Sequence, residues 1–157
     1  MKKFKFQLET LLKVTKMRKD QAEVSFAESA KLLEEQREQL ILLNEEMKQG
    51  LIDYNNLTDG KRINVGTLMT YNSFFAWKRE QLSIQANTIL QTQAEKKKRL
   101  KELTAIMNKL KSIEQIRQKR LEEFKTQALQ EEQKFLDEVG LQLTIRAAKQ
   151  GDKNDRS

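Results

Sequence analysis

Turn-forming residues gather at only one place in this chain, the stretch Thr58-Asp59-Gly60-Lys61-Arg62-Ile63-Asn64-Val65-Gly66-Thr67. Elsewhere the 157 residues are almost without punctuation: Gly occurs 5 times and Pro not at all. A fold of many elements reverses direction repeatedly, and each reversal needs Gly, Pro, Asn or Asp at special backbone geometries. A chain with one such cluster can reverse once. Its Asp-Gly pair supplies the reversal, because Gly60 can take positive φ. Asn64 or Thr67 can cap the following helix by accepting from its free amides. A bundle of four or more segments would need turns that this sequence lacks.

On either side of the cluster, apolar residues recur at coiled-coil spacing. Steps of four and three from Leu8 visit Leu12, Thr15, Lys19, Ala22, Phe26, Ser29, Leu33, Gln36, Leu40, Leu43, Met47, Gly50, Tyr54 and Leu57, most of them apolar. The same stepping from Leu82 visits Ala86, Ile89, Gln93, Lys96, Leu100, Leu103, Met107, Leu110, Glu114, Arg117, Leu121, Phe124, Ala128, Glu131 and Phe135. A neighbouring row, Ile106, Ile113 and Ile116, widens the second stripe. The pattern predicts a helix over 5–57, a turn over 58–66, a helix over 67–139 and a disordered tail from about 150 to 157. At 1.5 Å per residue the arms would be about 80 and 110 Å long. The expected fold is all-α: an elongated antiparallel two-helix coiled-coil hairpin with a longer second helix, in one unit over 1–157. Pairing that pivots near residue 62 sets residue 5 near residue 119, so about fifteen to twenty residues of the second arm overhang.

Charge is unevenly placed within the formal net of +7. Residues 1–19 carry +6, 20–53 carry −6, 95–125 carry +6 and 126–139 carry −3. In the hairpin the acidic stretch faces 71–104, which includes Lys96-Lys97-Lys98-Arg99, and this favours the pairing. The basic start faces a stretch that is also basic, which makes a positive collar suited to a less basic partner. The Lys96–Arg99 run has few aromatics near it and no reader motif, so nucleic acid is not an expected partner.

Chemistry is conspicuously missing. With no Cys and no His there is no thiolate nucleophile, no imidazole base and no zinc site of the usual kinds. The glycines build no phosphate-binding loop. Adjacent carboxylates such as Glu122-Glu123 point about 100° apart on a helix and do not converge as an acid and a base. The chain is therefore expected not to be an enzyme, and no cofactor is expected. No run approaches the roughly 20 apolar residues of a membrane span, so no membrane insertion is expected. Lys5, Glu9 and Lys13 interrupt what would be the apolar core of a signal peptide. The opening Phe4-Lys5-Phe6-Gln7-Leu8-Glu9-Thr10-Leu11-Leu12-Lys13-Val14 reads instead as the first turns of arm one, with Phe6 pointing away from the seam toward a partner. Near the turn, Gly50 on the seam and four aromatics within 71–77 suggest either a wider core or an aromatic protein-binding patch.

The opening stretch resembles that of the flagellar export protein family FliJ. Arg120-Leu121-Glu122-Glu123-Phe124, followed by Glu131-Glu132-Gln133-Lys134-Phe135-Leu136-Asp137-Glu138, is similar to that family's C-terminal helix. The resemblance implies a non-enzymatic part of the flagellar type III export apparatus, cytoplasmic and peripheral at the inner face of the cell membrane at the flagellar base. It implies a coiled-coil stalk that binds and promotes assembly or activity of the export ATPase FliI, and that links it to the export gate FlhA and to export chaperones. Leu51, Tyr54, Tyr71 and Phe74 match the family's gate-binding pattern, while Lys78 stands where an apolar residue is often found. The ATPase end would include Phe4, Phe6, Leu8, Leu11 and Leu12. The residues themselves leave two alternatives open: a general coiled-coil chaperone or adaptor without an ATPase partner, and a self-assembling structural coil.

Overall fold

A computed structural model describes residues 2–60 and 62–155. They form two helices, α1 (Glu9–Thr58) and α2 (Val65–Asp155), of 50 and 91 residues. The protein is an all-α helical hairpin whose second helix is the longer.

The helix ends follow from local chemistry. Glu9, acidic in the first turn of α1, complements the positive end of its macrodipole. At the other end the Thr58 hydroxyl donates to the Tyr54 carbonyl at 2.9 Å, and the Asp59 amide donates to the Asn55 carbonyl at 3.0 Å. Gly60 then adopts φ of 69°, a left-handed conformation that ends a helix cheaply only at glycine. Of the two candidate caps for α2 the structure uses Asn64, whose side-chain oxygen accepts from the Gly66 amide at 3.0 Å. Lys61 of the expected turn lies outside the described residues.

The helices divide into two compact units, Thr15–Asn108 and Met1–Val14 with Lys109–Ser157. In the first, Tyr54 meets Tyr71, Glu46 meets Lys78, Gln36 meets Gln85 and Ser25 meets Arg99. These pairs step away from the loop in opposite senses along α1 and α2, which is antiparallel pairing. The α1 seam runs as the spacing predicts, with Thr15, Ser29, Leu33 and Gly50 buried and the intervening members half-buried. The exception is Leu57, which is exposed, while Thr58 beside it is half-buried.

The α2 seam differs from expectation at every second position. Leu82, Ile89, Lys96 and Leu103 are buried or half-buried as expected, but Ala86, Gln93, Leu100 and Met107 are exposed. Their places are taken by Gln85, Thr92, Arg99 and Ile106. The stepping is three-then-four rather than four-then-three. Polar members are tolerated because they are satisfied. Gln85 Nε2 donates to the Gln36 carbonyl at 2.8 Å, the Thr92 hydroxyl to the Thr88 carbonyl at 2.7 Å, and Arg99 Nη1 to the Ser25 carbonyl at 2.9 Å. Among the described residues no buried side-chain nitrogen or oxygen lacks a partner.

In the second unit Phe6, Leu12, Leu110 and Ile113 form a buried cluster, with Phe4 and Leu8 packed against it. Leu110 and Arg117 of the expected α2 row are buried or half-buried, whereas Glu114 is exposed and Ile113 replaces it. Two expectations are corrected here. Residues 5–8 are not helical, and Phe6 is buried rather than directed at a partner. Residues two apart diverge on a helix but share a side in extended backbone. Starting α1 at Glu9 thus lets Phe4 and Phe6 both reach α2.

Nor does α2 end near 139 with a disordered tail; it is helical to Asp155, and residues 156–157 lie outside the described residues. No proline stops it. The two glycines there, Gly140 and Gly151, each cost only about 1 kcal/mol, and the Gly140 carbonyl accepts from the Thr144 hydroxyl at 2.9 Å.

Candidate functional site

Near the loop, the residues that the sequence singles out form a packed aromatic base. Tyr54 of α1 contacts Tyr71 and Phe75 of α2, with ring centroids 5.5 and 5.9 Å apart. Phe74 stacks edge-on against Phe75 at 5.5 Å. Phe74 also lies over Gly50: a Cβ there would fall 2.5 Å from its Cε1. Tyr71, Phe74, Phe75 and Lys78 share one face of α2 through their spacing of three and four residues. Tyr54, Tyr71 and Phe74 are half-buried, and only Leu51 of the expected gate residues is exposed.

Two residues change the character of this place. Trp77, outside that face, is 52% exposed. Lys78 is buried, a rare state for lysine. Its ammonium pairs with the Glu46 carboxylate and sits 4.9 Å from the Trp77 ring centroid and 5.7 Å from that of Phe74. A carboxylate and aromatic faces together replace water around the charge. The helical spacing from Tyr71 already places Lys78 in the seam, but residue type alone argues for the surface. The outward large apolar residues here are Leu51, Ile52, Leu57, Val65, Met69 and Trp77.

In the unit holding the N-terminus, the segment before α1 is clamped to α2. The Phe4 and Phe124 rings are 5.6 Å apart. Arg117 lies 5.7 Å from the Phe4 centroid and donates to Glu9 at 3.2 Å, and Arg120 lies 5.7 Å from the Phe6 centroid. Aromatic faces and one carboxylate thus absorb cations where sequence alone predicts basic facing basic. Of the five residues assigned to the ATPase end, Phe6 and Leu12 are core, Phe4 and Leu8 are half-buried, and Leu11 is borderline at 37% exposure. Around them Lys2, Lys3, Lys5, Lys13, Lys119 and Arg120 are exposed. These make a basic collar.

Beyond Phe124, the described residues of α2 are all exposed. Leu129, Phe135, Leu136, Val139, Leu141, Leu143 and Ile145 are among them. A groove of about 910 Å³ lies at the start of this segment, lined by Lys2, Phe124, Gln127, Ala128, Glu131, Glu132 and Phe135. The Lys96–Arg99 run is partly engaged within the hairpin. Lys96 sits 5.9 Å from the Phe26 centroid, and Arg99 bonds Glu95 at 3.0 Å as well as the Ser25 carbonyl.

A model of the flagellar FliJ protein family matches residues 4–149, from the N-terminal clamp through the exposed end of α2. The chain belongs to the FliJ family. Membership implies a role connected with flagellar export, in a family of non-enzymatic export components. Comparison with curated proteins and with solved structures returned no match. Among the described residues no helix is long and apolar enough to cross a membrane.

Proposed function

We propose that this FliJ-family chain works in flagellar protein export as a coiled-coil stalk that binds the export ATPase FliI, at the cytoplasmic side of the flagellar base. The observation that supports this beyond the family is the basic collar at the foot of an exposed helical extension. A helix with free apolar side chains and a positive base suits insertion into a less basic opening. Phe4, Phe6, Leu8 and Leu12 then act by holding the collar together, and Leu11 with the collar lysines meets the ring. The chain contributes differential binding to states of the ring.

The loop-side surface is the proposed seat for the export gate FlhA and for export chaperones. There Leu51 and Trp77 make the contact, and Tyr54, Tyr71 and Phe74 provide the firm base beneath them. Such exposed aromatic anchors on a packed base are the usual centres of binding energy.

The test is to mix the chain with its cognate ATPase and follow ATP hydrolysis and hexamer formation. Both should rise, and reversing Lys3, Lys5 and Lys13 to Glu together should remove most of the rise. In the gate arm, Leu51→Ala, at an exposed contact residue that supports no buried charge, should weaken FlhA binding without moving the melting temperature. No effect of the wild-type chain on hydrolysis or assembly would sink the stalk reading. Recovery of export substrates or chaperones without the ATPase would favour an adaptor in its place.

A further inference from the structure

The exposed end of α2 carries a second seam that is not a continuation of the first. The row facing α1 runs through Arg117, Leu121 and Phe124. Extended by heptads it would reach Ala128, Glu131, Phe135, Glu138 and Gln142, a mostly polar set. The apolar row lies one residue over, at Leu129, Leu136, Val139 and Leu143, all exposed. Steps of three and four join these four into one row with Glu132 and Arg146 as its polar members. A shift of one residue turns the row by about 100°. It is therefore not a strip that a longer α1 would have covered. A helix this long owes most of its stability to packing of an apolar face, and here that face meets solvent.

We propose that this row is a homodimer interface, and that a second copy of the chain covers it by antiparallel pairing of the two α2 ends. Self-complementarity of charge names the occupant. Residues 122–135 carry net −2 and residues 140–153 carry net +2. Antiparallel pairing about the point between Asp137 and Glu138 lays each of these segments against the other from the second copy. The same register sets Leu136 against Val139 of the other copy. It brings Glu132 diagonally beside Arg146, twice, as two-fold symmetry requires. Charged groups within such a row set register and orientation more than they add stability.

The inference goes beyond the stalk reading: the dimer is the form of the free chain, and the row is uncovered before the helix end enters a ring. It is tested on the protein alone, so either can fail without the other. Sedimentation equilibrium on the full chain, from low to high micromolar concentration, should show a reversible monomer–dimer equilibrium. Glu132→Arg and Arg146→Glu should each raise the dissociation constant about tenfold, since each reversal turns two attractive contacts repulsive in the symmetric pair. The double variant should return to within about threefold of wild type. The two residues are fourteen apart, about 21 Å along one helix, so they cannot rescue each other within a copy. Leu136→Asp should leave a monomer, with helicity by circular dichroism reporting that the hairpin is intact. A chain that stays monomeric throughout would overturn the proposal and leave the row to a different protein. Association in which the double variant is no better than the singles would overturn this pairing.

Discussion

A glycine inside a helix costs about 1 kcal/mol relative to alanine, yet Gly50 occupies a seam position of α1. The compensation is Phe74, whose ring covers the bare backbone. Gly50→Ala would recover helix propensity and lose more to overpacking, because the ring is hemmed in by Phe75. The expected net loss is about 1 kcal/mol, a melting temperature about 3 °C lower. Combining it with Phe74→Leu should recover part of the loss relative to Gly50→Ala alone. A single variant that melts higher than wild type would show that the ring moves aside freely. Lys78 teaches the complementary lesson. A residue class that belongs on the surface is held in the seam because Glu46 and two rings surround its charge.

At the scale of the element, the two seams differ in how they can be read. In α1, apolar spacing and burial coincide from Leu12 to Tyr54. In α2, Leu100 and Met107 fit the spacing and are large and apolar, but it is Arg99 and Ile106 that are half-buried, while Leu100 and Met107 are exposed. Hydropathy cannot rank those alternatives, since the polar members are compensated by hydrogen bonds to α1 carbonyls and side chains. The structure separates two leucines that periodicity treats alike. Leu103 is 7% exposed and Leu100 is 45% exposed. Leu103→Lys should cost about 3 kcal/mol by placing a charge in the seam. Leu100→Lys should stay within about 0.5 kcal/mol of wild type. Thermal melts of the two variants decide it, and equal losses would return the seam to the four-then-three register.

At the scale of the whole molecule, stability and exposed surface are held by different stretches of the chain. Buried residues end at Ile113, and half-buried ones end at Phe124. Removing residues 126–157 should therefore leave the melting temperature within about 2 °C of the full chain at concentrations below self-association, while total helical signal falls. A drop of more than about 5 °C would mean that the exposed end of α2 supports the hairpin. The same division explains why candidate site residues were only partly legible. As site residues, Tyr54, Tyr71 and Phe74 stand out through the resemblance to the family's gate-binding pattern, and Phe6 and Leu12 through its ATPase-facing end; all five are apolar or aromatic, and such residues serve the core first. Trp77, which does face outward, lies off the seam spacing and gave no periodic signal.

The hairpin is legible in the residues alone: one turn cluster, no proline and two apolar stripes admit little else. So are the α1 seam and the pairing about the loop, because apolar periodicity and segregated charge act in the same direction there. Tertiary structure alone decided which face of α2 is buried, where α1 starts and what becomes of Phe6. Those choices rest on contacts between residues far apart in the chain, such as Arg120 over Phe6 and Gln85 with Gln36. Such contacts compensate polar groups pair by pair, and no property of one residue alone records them.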